Sequence, residues 1–172
     1  MNGEIDFKEA LFKRVGLLKG LPEAALRETL DKIELSPGAR RFVIGLKEKG
    51  AVCVLISGGF TFFTGAIAKQ AGFDYHHGNR LEIKEGKLTG KVLEPILDPN
   101  AKVAFMDRHC TDLELSFADC LAIGDGANDL PMLLKAGVGT GYRPKPMVAS
   151  QLLNVIQHIS LDKTLVCCFP SL

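Results

Sequence analysis

The hexapeptide Gly124-Asp125-Gly126-Ala127-Asn128-Asp129 follows directly on the apolar run Cys120-Leu121-Ala122-Ile123. An apolar run ending in a carboxylate reads as a buried strand with that carboxylate at its C-terminal tip, where open α/β sheets bind ligands. The two glycines let backbone approach a ligand, and an Asp four positions after another returns to the same side if a helix begins there. Paired carboxylates at a strand tip suit a hard cation such as Mg²⁺, which makes Asp125 and Asp129 candidate metal ligands. Taken alone, Gly-Asp-Gly is more often a plain turn between a strand and a helix.

A second apolar run, Ala51-Val52-Cys53-Val54-Leu55-Ile56, ends in Ser57-Gly58-Gly59-Phe60. A hydroxyl followed by two residues without side chains, opening a helical stretch, makes an oxyanion cradle: backbone N–H groups and a helix N-terminus attract negative charge, and the hydroxyl donates once more. Such triplets also make ordinary turns. Between the two stretches stands Lys102, at the start of a helix expected from Asn100 to about Leu113. A lysine is ordinarily solvated surface; set beside two strand tips of anion- and metal-binding character it becomes a phosphate counter-charge.

These three stretches, in this order, resemble the haloacid-dehalogenase superfamily of phosphatases. The segments Met1-Asn2-Gly3-Glu4-Ile5-Asp6-Phe7, Arg14-Val15, Asn79-Arg80-Leu81, Gly86-Lys87-Leu88-Thr89-Gly90 and Lys145-Pro146 add to the likeness. Together with the two strand tips they look like the bacterial phosphoserine phosphatases, from Met1 to about His158. The resemblance implies a Rossmann-like parallel sheet of the haloacid-dehalogenase type with a small helical cap. It implies Mg²⁺-dependent hydrolysis of O-phosphoserine to serine and phosphate, a step of serine biosynthesis. It assigns Ser57, Gly58, Gly59, Lys102 and Asn128 to the phosphate, and Asp125 to Mg²⁺. Asp129 is assigned to the metal shell or to orienting Lys102, and so, with Lys102, to the catalytic apparatus. Arg14 would bind the substrate carboxylate, for which a guanidinium fork is suited, and Phe7 would enclose the substrate. From periodicity alone Arg14 is an exposed helix residue and Phe7 a core residue.

The resemblance also implies a strand carrying Asp-x-Asp-x-Thr, and this sequence contains none; Asp107-Arg108-His109-Cys110-Thr111 has one Asp at the wrong spacing. In the family the first of those aspartates attacks phosphorus and the second is the general acid and base. Loss of such a nucleophile costs roughly 10⁴ to 10⁶ in turnover, so the expectation is a truncated and nearly inactive chain. The absent strand would be central, between those ending at Ser57 and Asp125, and a cap glutamate that reads the substrate amine is absent with it. The gap would close by direct pairing of the neighbours, by strand exchange in a homodimer, or with the strand-like run Thr164–Phe169. Rival expectations are a non-catalytic phosphate-binding module, and a related phosphatase or phosphotransferase on another small phosphomonoester. A dinucleotide-binding domain is disfavoured, since no Gly-x-Gly-x-x-Gly follows a strand.

Along the chain, a helix is expected from Phe7, capped by Asp6 and ended by Gly20, with Phe7, Leu11 and Arg14 on one face. Further helices are expected from Pro22 to Ile33, from Ser36 to Gly50, from Thr61 to Gly72 and from Asn128 to Ala136. Leu81–Leu93 reads as a hairpin turning at Glu85-Gly86, and Asp119–Gly124, Val138–Tyr142 and Val155-Ile156 as strands. The resulting division is a helical cap segment over 1–35, an α/β core over 36–160 and a divergent tail over 161–172. With 172 residues, 47% of them hydrophobic, the chain is long and apolar enough to bury a core rather than stay disordered. A net charge of +1 without a basic run argues against nucleic acid as partner. Five cysteines, an odd number at no metal-ligand spacing, read as buried reduced thiols. No targeting pattern or membrane-length apolar stretch is seen, and a cytoplasmic protein is expected.

Overall fold

A computed structural model describes residues 3–98 and 100–165, with backbone alone for 3–7. They fall into two compact units, residues 3–96 with 160–165, and residues 97–159 without Pro99. The boundary at 96–97 thus falls inside the segment 36–160.

In the first unit, α1 (Gly3–Gly16) buries Leu11 and Val15, four apart and so on one face, against Val92 and Ile96, with Phe60 and Leu81 packed on the same cluster. Asp6 lies inside this helix rather than capping it. Gly20, at φ 86°, belongs to the next feature: residues 20–23 run as an edge along the strand that begins at Lys87. Gly20 N–H donates to the Leu88 carbonyl at 2.8 Å, Leu88 N–H to that of Leu21 at 2.9 Å, and Glu23 N–H to that of Gly86 at 2.8 Å. That ladder holds Pro22 extended and delays α2 (Ala24–Leu30). α3 (Ala39–Glu48) starts behind Gly38, whose φ of 81° interrupts the helix expected from Ser36. A Cβ on Gly38 would stand 2.7 Å from the backbone nitrogen of Asp162, because the 3₁₀ turn Leu161–Thr164 packs on the start of α3. Thr164 and Leu165 are therefore helical, not strand; the rest of the run to Phe169 lies outside the described residues.

β1 (Val54–Phe60) continues through Ser57-Gly58-Gly59 instead of stopping before them. It pairs in parallel with β2 (Tyr75–Lys84), the register slipping between Ile56 and Phe60, and α4 (Thr61–Ala71) follows at once. At the root of these strands Asp74 accepts the Cys53 N–H at 2.8 Å and pairs with Lys47 at 2.6 Å. Burial pushes the Asp74 carboxyl up, but Lys47 and the backbone N–H outweigh it and hold it below its ordinary value. The second half of β2 pairs antiparallel with β3 (Lys87–Leu93). Glu85 and Gly86 between them stand at φ 50° and 70°, the two-residue loop whose twist matches that of the strands.

The second unit contains α5 (Ala101–Asp112), β4 (Leu121–Gly124), α6 (Leu130–Lys135), β5 (Val138–Tyr142), α7 (Pro146–Ala149) and β6 (Asn154–Ile156). Its sheet has the order β4-β5-β6 and is parallel throughout, with Leu121 opposite Val138 and Tyr142 opposite Ile156. Leu97, Met106, Ala122, Met132, Leu133 and Val148 are its buried apolar side chains among the described residues, joined by Cys110. The end of α6 lies so close to β5 that a Cβ on Gly139 would overlap the Leu133 carbonyl oxygen; separately, one on Gly137, just before β5, would overlap that of Ala118 in the 3₁₀ turn Phe117–Asp119. The Cys110 and Cys120 sulfurs are 3.2 Å apart and both free thiols; burial is the chief cause that pushes Cys120 up to about 12.

Parallel strands interleaved with helices are the α/β architecture expected from the sequence. Among the described residues β1 pairs with β2 alone and β4 with β5 alone. No helix among them is long and apolar enough to cross a membrane.

Candidate active site

Residues 125–129 form a tight turn at the tip of β4, with Asp129 N–H donating to the Gly126 carbonyl at 2.9 Å. The turn delays α6 to Leu130 and folds the Asp129 side chain back under the loop. Its Oδ2 accepts the backbone N–H of Asp125 at 3.1 Å and of Gly126 at 3.0 Å, and its Oδ1 accepts Lys102 Nζ. Lys102 and Asp129 are 8% and 4% exposed, so this is a buried ion pair whose carboxylate has both oxygens occupied. Lys102 is the second residue of α5, where a cation opposes the helix macrodipole. The Ala101 N–H beside it is accepted by Asp98 Oδ1 at 2.8 Å, which fixes the start of the helix. Asp125 and Asn128 keep exposed side chains on the loop.

Gly124 is glycine because Asp129 occupies its side-chain space: a Cβ there would lie 2.6 Å from Asp129 Cβ and 2.7 Å from Oδ2. Gly124→Ala is expected to displace that carboxylate and to cost about 1–3 kcal/mol, the usual range for overpacking. Urea unfolding measures this, and an unchanged midpoint would mean that Asp129 has room to move.

In the first unit, Ser57, Gly58 and Gly59 occupy the irregular end of β1. Ser57 Oγ accepts the Gly59 N–H at 3.0 Å, and the Gly58 carbonyl accepts Asn79 Nδ2 at 2.9 Å. A Cβ on Gly58 would meet nothing within 4 Å, and its φ is not positive. Neither crowding nor backbone conformation requires glycine there, which leaves close approach of a ligand as a reason for it. Asn79 is fully buried on β2 and was not singled out as a site residue from sequence. The available signal was its residue type, since Asn is depleted in strands. Arg14 is exposed, off the Leu11–Val15 face, and its Nε donates to the Ala10 carbonyl of its own helix at 3.1 Å. Phe7 lies on α1, its side chain outside the described atoms. The structure thus joins Lys102, Asp129 and the Asp125 loop within one unit, and Ser57, Gly58 and Gly59 within the other.

No group of three or more His, Cys, Asp or Glu side chains able to hold a metal occurs among the described residues. Mg²⁺ does not need one: it keeps several waters and takes one or two carboxylates with phosphate oxygens. The exposed Asp125 carboxylate at a strand tip fits as one such ligand. The Asp129 carboxylate is already engaged by Lys102 and by the backbone N–H groups of Asp125 and Gly126.

Residues 3–134 match the family model of haloacid dehalogenase-like hydrolases. The chain belongs to that family. The matched span of this haloacid dehalogenase-like hydrolase takes in Ser57–Gly59, Lys102 and Asp125–Asp129. A phosphoserine phosphatase of Polaromonas sp. is 42% identical over 171 residues, 96% of this chain and 72% of that protein. A haloacid-dehalogenase-family hydrolase from Salmonella enterica serovar Typhi superposes with a TM-score of 0.91 at 32% identity, over 96% of this chain. The chain spans 57% of the length of that structure. A phosphoserine phosphatase solved as a phospho-aspartyl intermediate analogue gives a TM-score of 0.86 at 34% identity, over 96% of this chain and 77% of the other.

Proposed function

We propose that the chain carries the phosphate- and metal-binding part of a phosphoserine phosphatase, for the Mg²⁺-dependent hydrolysis of O-phosphoserine to serine and phosphate. The observation that carries this is the buried Lys102–Asp129 pair tied to the backbone of the Asp125 loop. Such a pair presents a cation in a fixed place, at a local cost to its helix, and a phosphoryl dianion is the ligand that uses it. Asp129 is thereby the anchor of Lys102 and of the loop rather than a direct metal ligand. The Ser57 hydroxyl and the Gly58 backbone meet phosphoryl oxygens, and Asn128 adds a contact. Arg14 takes the substrate carboxylate and Phe7 encloses the substrate, with α1 and α2 as the cap. When bound, Mg²⁺ held by Asp125 offsets phosphoryl charge. The phosphoserine phosphatases named above support phosphoserine as substrate; serine biosynthesis in the cytoplasm is the setting that this reading implies.

For this polypeptide alone a second reading has its own support: anion binding with little turnover. The sequence contains no Asp-x-Asp-x-Thr. Among the described residues β1 pairs with β2 alone and β4 with β5 alone, which supports this reading. Both readings require anion binding. Calorimetry with inorganic phosphate or phosphoserine in the presence of Mg²⁺ is expected to show saturable binding, weakened about tenfold by Ser57→Ala through loss of a charge-assisted hydrogen bond. No heat of binding at millimolar ligand would remove both readings.

A further inference from the structure

We propose that Asn79 is a positioning residue that makes the Ser57 hydroxyl an obligate donor toward the bound anion, an inference that rests on the reading of Ser57 as a phosphate donor. The Gly58–Gly59 peptide is one rigid plane, with its C=O and N–H on opposite edges. The C=O accepts Asn79 Nδ2 at 2.9 Å, and the N–H donates to Ser57 Oγ at 3.0 Å. With that N–H facing its oxygen, Ser57 must direct its hydroxyl hydrogen elsewhere, to an acceptor presented at the strand tip. A Gly-Gly peptide has no Cβ on either side to resist turning over. Turned over, it would offer its carbonyl to Ser57, and the hydroxyl would donate inward instead of to a ligand. The Asn79 amide selects the first orientation.

Two further observations converge on this role. The Asn79 side chain is fully buried, where a polar group is expected to be hydrogen-bonded, and the Gly58 carbonyl is one of its partners. Gly78 beside it lies against the same segment: a Cβ there would come within 3.1 Å of Thr61 N, 3.2 Å of Gly59 O and 3.2 Å of Phe60 C. A side chain at that position would push the irregular end of β1 away from β2 by a few tenths of an ångström, so glycine there favours the close approach through which the Asn79 amide reaches it. The slip in register between Ile56 and Phe60 is the local distortion that turns the Gly58 carbonyl toward β2.

Asn79→Asp keeps the side-chain shape but sets an acceptor against the Gly58 carbonyl. NMR titration of the full chain with inorganic phosphate is expected to show an affinity about tenfold weaker than the parent's, and the Gly59 amide resonance is expected to move before any phosphate is added. The double variant Ser57→Ala/Asn79→Asp should bind no more weakly than Ser57→Ala, because both changes act through one hydroxyl. Additive losses in the double variant would instead mark a merely structural role and overturn the assignment. A weakened Ser57→Ala with an unaffected Asn79→Asp would sink the assignment alone. If Ser57→Ala leaves the affinity unchanged, the phosphate-donor reading falls, and the assignment falls with it. Should the buried carboxylate prevent folding, Asn79→Ala carries the same expectations.

Discussion

Replacing Lys102 with methionine is expected to cost the chain about 3–5 kcal/mol, the loss typical of removing one partner from a buried pair. Methionine fills nearly the same space, so little of that loss would come from a cavity. It comes from Asp129, left with a buried charge and only the backbone N–H groups of Asp125 and Gly126 to hold it. Urea unfolding measures the effect, with Asp129→Asn expected to be comparably costly because it strands the ammonium. The double change Lys102→Met/Asp129→Leu should recover the part of the loss that comes from an unpaired charge, but not the part due to the Asp125 and Gly126 N–H groups, which lose their acceptor. A single variant within about 1 kcal/mol of the parent would show that the pair is solvated. Recovery by the apolar pair would also show that the fold does not need these charges, and that their use lies in what they bind.

With phosphoserine and Mg²⁺, the 172-residue polypeptide is expected to release phosphate no faster than the background. On the proposed reading, covalent phosphoryl transfer needs an attacking carboxylate, and the downstream groups cannot supply one. Lys102 holds a proton donor where charge must be offset, Asp129 is consumed in holding it, and Ser57 has no base beside it among the described contacts. Loss of a nucleophile from comparable hydrolases costs roughly 10⁴ to 10⁶ in turnover. A colorimetric phosphate assay over hours decides the matter. Vigorous release that Asp125→Asn abolishes would demand a nucleophile other than the one the family uses, and would overturn the second reading above.

What could be read from the sequence follows from the range of the forces involved. The Glu85-Gly86 hairpin and the run up to Gly124 were legible because turn chemistry and apolar runs are local. The placement of Lys102 at a helix start and of Asp125 just past a strand tip was legible, because apolar runs and helix-start signals are local as well. For Asp129 two places were expected, the metal shell or orienting Lys102; the fold gives one oxygen to Lys102 and the other to the backbone N–H groups of Asp125 and Gly126, which no local pattern foretold. The first half of β2 was missed because Tyr75-His76-His77-Gly78-Asn79 has no apolar alternation, and it is a strand only because β1 supplies a ladder. The delayed start of α2 has the same kind of cause, since residues 20–23 are claimed by β3. Asn79 was quoted only as part of a likeness, because its partner is a carbonyl 21 positions earlier.

The closeness of α6 to β5 limits how the second unit can respond to a ligand. With the Leu133 carbonyl standing where a first side-chain carbon of Gly139 would otherwise go, backbone rests on backbone at that point, with no side chain between helix and strand. Rolling or sliding of the helix would drive that oxygen into the strand or open an empty seam. Binding energy delivered at the Asp125 loop therefore finds nothing soft beneath it to deform, and the lysine, its carboxylate anchor and the loop travel as one block.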